Sequence, residues 1–400
     1  MKLFSKTPHK EDQKVHFELY KRYPITLEKG LGSRVWDAEG REYIDALAGI
    51  AVNNIGHCHP RLVKAIADQA GTLMHISNFY TSKPQVELAK RLVKLTGLDR
   101  AFFCNSGAEA IEGAIKSARK YGHTKGKSGP IITMDGCFHG RTLGAISAGK
   151  KKYQEGFEPM LPGFKQVPFN DIEALTKVVD DQTVAIMLET VQGEGGIVPA
   201  EKEYLKAVRK LCDKHDVLLI IDEIQCGIAR TGKMLAYEHY GIVPDIVALA
   251  KGLGGGFPIG AVVAKEKVSK ALDYGQHGTT FGGNPLATRA ALETLDIIKD
   301  EKLIRKAAVD GEWFMSELRN WAETEDAITD VRGMGLMIGV ELSFPGAGVV
   351  EKMLHKGILT NCASGNVMRL VPPIPITRLE LTALLVALKE AVAEEKASIK

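Results

Sequence analysis

Residues 217–256 read VLLIIDEIQCGIARTGKMLAYEHYGIVPDIVALAKGLGGG, and this stretch decides the fold. Val217 to Ile221 is an unbroken apolar run that ends in Asp222 and Glu223. Ile246 to Ala250 is a second, ending in Lys251 and a glycine cluster. Short runs this apolar imply strands buried on both faces, hence a mostly parallel sheet covered by helices. In both, the charged residue follows directly on the C-terminal end of the strand, where open α/β sheets place their ligands.

Three further strands are expected upstream: Arg100 to Cys104, Pro130 to Met134 and Thr183 to Glu189. The first runs into Asn105-Ser106-Gly107 and a helix from about Ala108 to Tyr121. The second leads to the loop Asp135 to Arg141, and the third to Gln-Gly-Glu-Gly-Gly at 192–196. A helix over Lys202 to His215 carries Leu205, Val208, Leu211 and Cys212 on its apolar face. Short strands are expected between Tyr23 and Asp45. Helical patterns follow near 301–325, then a strand or hairpin at 331–340 and a final helix from about Leu379. Three regions follow: an N-terminal segment 1–55, a large domain 56–300 and a smaller C-terminal domain 301–400.

The bulk properties narrow the function. The 400 residues carry a net charge of +3, and the only basic run, Lys150-Lys151-Lys152, reads as a solvated face. Neither nucleic acid nor an anionic membrane is an expected partner. Six scattered cysteines with no Cys-x-x-Cys pair point to reduced thiols in a cytoplasm. The polar start, MKLFSKTPHKEDQK, does not read as a secretory signal. Gly-His-Cys-His-Pro at 56–60 reads as a turn before a helix, so no metal site is expected.

Asp222 taken alone is better explained by capping the next segment. Buried, it needs a cation, and a protonated pyridine nitrogen is one that fits. Lys251 could be a lysine snorkelling at the sheet edge. Desolvated, it becomes an amine nucleophile for an aldehyde. Asn105 or Ser106 can cap the helix that follows, while Gly107 lets backbone amides approach a phosphate at the positive helix end. No Gly-x-Gly-x-x-Gly follows that first strand, which argues against a dinucleotide. Arg369, set among apolar residues and prolines, calls for a buried carboxylate partner. Glu194, between glycines in a loop expected to be mobile, is the candidate.

These motifs, in order, resemble the class III, ornithine-type aminotransferases of pyridoxal-phosphate fold type I. The anchors are FCNSGAEA (103–110), FHGRT (138–142), QGEGG (192–196), IIDEIQCG (220–227), LAKGLGGGFP (249–258) and HGTTFGGNP (277–285). The resemblance covers essentially the whole chain. It implies a large, mostly parallel seven-stranded sheet domain with helices on both faces, and a smaller α+β domain built from both termini. It also implies that Lys251 anchors pyridoxal 5'-phosphate covalently and, once released, carries the proton between substrate carbon and cofactor. By the same resemblance Asp222 keeps the pyridine nitrogen protonated, Gln225 lies near the phenolic oxygen, and Phe138 stacks on the ring. Gly107 and Ala108 give amides to the phosphate, and Thr280 reaches the phosphate of a neighbouring subunit, making a homodimer with shared active sites. Arg141, Thr279 and Arg369 bind substrate, with Glu194 pairing Arg369 during one half-reaction.

For substrates, the resemblance implies an amino donor reacting at its terminal amine, and 2-oxoglutarate. Ornithine-specific members place a tyrosine in the segment aligned with GIAVNN (49–54), which has none. That favours N-acetylornithine, and hence arginine biosynthesis. Ornithine, 4-aminobutyrate or succinyl-diaminopimelate transamination, or an aminomutase reaction, are the alternatives.

Overall fold

The computed structural model describes residues 8–399. The start of the chain as far as Thr7, which carries half of the polar segment read above, lies outside the described residues.

Seven strands form the central sheet: β1 (Arg100–Cys104), β2 (Ile131–Met134), β3 (Phe164–Val167), β4 (Ala185–Glu189), β5 (Leu218–Asp222), β6 (Ile246–Leu249) and β7 (Gly260–Ala264), in the order β1-β7-β6-β5-β4-β2-β3. All pairings are parallel except those of β7, which runs antiparallel to β6 and β1. The five strands expected from the sequence are present. The two not read there are β3, a short edge strand with an exposed lysine, and β7, hidden behind the glycine cluster. In β2, β4, β5 and β6 every residue is buried, as double-sided coverage requires.

One covering helix, α1 (Gly107–Thr124), presents Ala110, Ile111, Gly113, Ala114, Ile115 and Ala118 to the sheet. Small residues let it approach closely: a Cβ on Gly113 would stand 3.1 Å from Val262. Another, α2 (Lys202–His215), buries the four residues named from its periodicity, together with Tyr204. A third, α3 (Pro285–Asp300), is buried on almost all sides.

The two ends of the chain meet. The N-terminal strands Leu27–Leu31, Arg34–Asp37 and Glu42–Asp45 form a meander, and Ile358–Leu359 joins it in parallel, with Ile358 opposite Ile44. The hairpin expected near 331–340 is Ile328–Met334 with Met337–Leu342, extended by Val367–Leu370 and Asn361–Ala363. The last helix runs Arg378–Ile399. His59 caps the helix Pro60–Ala70, while His57 bonds Asp45 at 2.7 Å, so Gly56 to Pro60 is the expected turn.

Candidate active site

A cavity of about 430 Å³ opens at the C-terminal ends of the parallel strands. Gly107, Ala108, Phe138, Arg141, Asp222, Gln225 and Lys251 line it, together with His139, Glu189 and Ile224. Seven residues singled out in the sequence therefore meet at one place.

Lys251 follows β6 after the extended Ala250, and its backbone lies in the left-handed region at φ +43°. A lysine held there carries strain that its surroundings must maintain. Gly252 permits the turn, since a Cβ on it would stand 2.4 Å from the Asn54 amide nitrogen. Burial lowers the pKa of the Lys251 amine, and Arg369 adds to the effect; Asp222, Glu194 and Glu189 oppose it only in part. The result is an amine more readily neutral, and so nucleophilic, than an ordinary lysine.

Asp222 ends β5. Its Oδ1 accepts from the Ile224 N–H at 3.0 Å and its Oδ2 lies 2.8 Å from His139 Nδ1. Burial works against a charge on His139, yet the Cys137 sulfur and the Asp222 carboxylate hold its pKa well above the ordinary value. His139 was not singled out in the sequence, although it stands inside the quoted FHGRT motif.

Glu189 was also missed. It ends β4 in register with Asp222 on the neighbouring strand and accepts from the Phe138 N–H at 3.0 Å. Burial pushes its carboxyl up to about 7, against the opposing pull of His139. The signal that exposed Asp222, a carboxylate closing an apolar run, was equally present in AIMLE.

At the start of α1, the Ser106 hydroxyl accepts from the Glu109 N–H at 3.2 Å and caps the helix. The first-turn amides of Gly107 and Ala108 are left at the cavity wall, as a phosphate site requires. A helix N-terminus, a buried carboxylate and a lysine of lowered pKa around one cavity fit pyridoxal phosphate. The phosphate, the ring nitrogen and the aldehyde carbon each meet a group of suitable chemistry.

Arg369, 2% exposed, forms an ion pair with Glu194 and donates to Asn361 Oδ1 at 3.0 Å. Its Nη1 also reaches Gln225 Oε1 at 3.4 Å. Burial works against the Glu194 charge, but Arg369 outweighs it and holds that carboxyl below its ordinary range. The loop is less free than its glycines suggested. Lys150 and Ser364 both donate to the Glu194 carbonyl, at 2.8 and 3.3 Å, and Arg332 donates to that of Gly196 at 2.9 Å. Lys150 is therefore no solvated member of a basic run. Arg141 has no carboxylate partner among the described residues and lies over the rings of Tyr153 and Phe138.

Thr279 and Thr280 are not brought to Lys251. They border a second cavity of about 750 Å³ beside Phe79 and Tyr274, and Thr279 Oγ1 accepts from the Asn105 amide at 3.3 Å. No group of His, Cys, Asp and Glu able to hold a metal occurs among the described residues, and no described helix is long and apolar enough to cross a membrane.

Residues 18–392 match the family model for aminotransferase class-III. The chain is a class III aminotransferase. This aminotransferase is 57% identical to the acetylornithine aminotransferase of Methanocaldococcus jannaschii, over 96% of the chain and 98% of that protein. It is 51% identical to the acetylornithine aminotransferase of Caldanaerobacter subterraneus subsp. tengcongensis, again over 96% and 98%. Among solved structures, the ornithine aminotransferase of Toxoplasma gondii ME49 superposes with a TM-score of 0.95 at 35% identity, covering 99% of this chain and 97% of that one. Class III aminotransferases use pyridoxal phosphate, and the lysine, carboxylate and helix terminus described above are the residues this one has to hold it.

Proposed function

We propose that this aminotransferase moves the terminal amino group of N-acetylornithine to 2-oxoglutarate, giving N-acetylglutamate 5-semialdehyde and glutamate in arginine biosynthesis. The observation that carries the reading is the contrast between the two arginines: Arg369 is neutralised by Glu194, while Arg141 is free of any carboxylate among the described residues. A donor with one carboxylate needs one free arginine. 2-Oxoglutarate, with two, needs Arg369 released as well, and a movable Glu194 side chain serves both in turn. The names of the most similar relatives support the donor.

Bound pyridoxal phosphate supplies a covalent hold on the amine and a sink for the electrons left when the substrate carbon loses its proton. The chain supplies the rest. Lys251 Nζ, of lowered pKa, takes and returns that proton. Asp222, itself held by His139, would partner the ring nitrogen. Gly107 and Ala108 would hold the phosphate, Phe138 would stack on the ring, and Gln225 would orient the phenolic oxygen. In a homodimer with shared sites Thr279 would reach substrate and Thr280 the phosphate; that both line a second cavity and not the one around Lys251 supports this arrangement. Phe79 and Tyr80, 93% and 66% exposed, mark the surface for it. The division 1–55, 56–300 and 301–400 is supported by the pairing of Ile358 with Ile44. The six free cysteines support a cytoplasmic setting.

The test is a visible absorption spectrum of the cofactor-loaded protein before and after donor is added. A band that bleaches with N-acetylornithine and not with ornithine supports the reading. Bleaching by ornithine alone replaces the donor, and absence of any band removes the central role of Lys251.

A further inference from the structure

One short turn touches both substrate-binding groups. After the helix Leu143–Ser147, Lys150 reaches across to the Glu194 carbonyl at 2.8 Å, and the 3-10 turn Lys151–Tyr153 follows. Gln154 ties the turn back to the helix, donating to the carbonyls of Ile146 at 2.8 Å and Gly149 at 3.2 Å. Between these holds stands Tyr153, half-buried, with the Arg141 guanidinium carbon 4.1 Å from its ring centroid. Phe138 meets Tyr153 edge-on, at 6.0 Å and 81°, and itself lies 5.5 Å from the Arg141 guanidinium.

An aromatic face attracts a guanidinium without using any of its N–H donors. The planar fork of Arg141 is thereby restrained while its donors stay available to a carboxylate. Arg141 lines the cavity that contains Lys251, so a restrained fork sets how far from the reacting amine a donor carboxylate must lie.

We propose that Tyr153 is a specificity-determining positioning residue, whose ring holds Arg141 for the donor's carboxylate while Lys150 and Gln154 keep the turn in place. The inference rests on the reading of Arg141 as the arginine that meets the donor.

The test compares two donors on the cofactor-loaded enzyme: N-acetylornithine and N-acetylputrescine, which has the same carbon chain without the carboxylate. In Tyr153→Ala the ratio of their kcat/KM values should fall about tenfold, while Tyr153→Phe should keep it within about twofold. Calorimetric binding of N-acetylnorvaline, which has the carboxylate but no reactive amine, should weaken about tenfold in Tyr153→Ala alone. An unchanged cofactor absorption band shows that the variants are folded and loaded. Equal loss on both donors, equal damage from Phe and Ala, or unchanged N-acetylnorvaline binding in Tyr153→Ala overturns the inference. A wild-type enzyme that does not prefer the carboxylate-bearing donor overturns both this inference and the reading of Arg141 beneath it. A wild-type preference left undiminished in Tyr153→Ala overturns the inference alone.

Discussion

His139 Nδ1 stands 2.8 Å from Asp222 Oδ2, with both side chains buried and 83 residues apart in the chain. The imidazole gives the Asp222 carboxylate a hydrogen-bonding partner inside the protein, and, against burial, Cys137 and this pairing raise the histidine's pKa. His139→Phe leaves that carboxylate with only the Ile224 amide. The cofactor-free protein should lose about 3 kcal/mol, because a buried charge has been left without its partner. The loaded protein should lose less, since the pyridinium nitrogen supplies a replacement cation. Urea denaturation of both forms checks this; equal losses would show that Asp222 does not face the ring nitrogen.

The Glu194–Arg369 pair predicts asymmetric kinetics. In Glu194→Gln, Arg369 is no longer neutralised and competes for the donor's carboxylate. The donor half-reaction should slow on the order of tenfold or more, the worth of a charge-assisted contact, while the 2-oxoglutarate half-reaction should change little. Single-turnover measurements of each half separate them, and an equal effect would overturn the role of Glu194 as a movable partner of Arg369. The pH sign follows from the depressed carboxyl. The stabilisation is complete above the ordinary glutamate value of about 4.3 and is lost as pH falls through the lower folded value.

Lys251 gives stability the same pH sign from a different cause. Its folded pKa lies below the ordinary value, so the folded chain binds fewer protons there than the unfolded chain. Its contribution to the stability of cofactor-free protein should therefore rise with pH until the unfolded value, about 10.4, is passed. Lys251→Met removes that component. The stability difference between Met variant and wild type should favour the variant at neutral pH and shrink toward pH 10, measured by denaturant midpoints. A constant difference would mean that the amine is not desolvated.

The exposed aromatic surface predicts assembly. Phe79 lines the cavity bordered by Thr279 and Thr280, its neighbour Tyr80 is exposed, and Tyr274 projects fully into solvent. Phe79→Asp should shift the protein toward monomer in sedimentation velocity. It should also weaken phosphate-group retention, because Thr280 would no longer reach a partner's site. Monomer with undiminished cofactor affinity would separate the interface from the site.

Much of this site was legible because strand ends announce themselves. Asp222 and Lys251 interrupt apolar runs, and each lies where a parallel sheet opens to ligand. Glu189 carried the same signal and was passed over, since its run was read only as a strand. His139 carried none of its own; a lone histidine between phenylalanine and glycine acquires meaning only from the carboxylate it meets. Lys150 was read as solvated for a similar reason: its carbonyl partner is 44 residues distant and reached through the loop geometry.

The sequence by itself determined the alternation of strands and helices, the motif order that identifies the family, and the lysine and carboxylate at the ends of two buried strands. Those are local properties, written in periodicity and in charges adjoining apolar runs. Only the tertiary structure decided that His139 partners Asp222, that Lys150 and Ser364 pin the Glu194 backbone, and that Arg141 rests on Tyr153. It also decided that Thr279 and Thr280 stand away from Lys251 in a single chain. The physical reason is that each of these depends on distance and burial between remote segments, and both arise only when the sheet closes and the two ends of the chain meet.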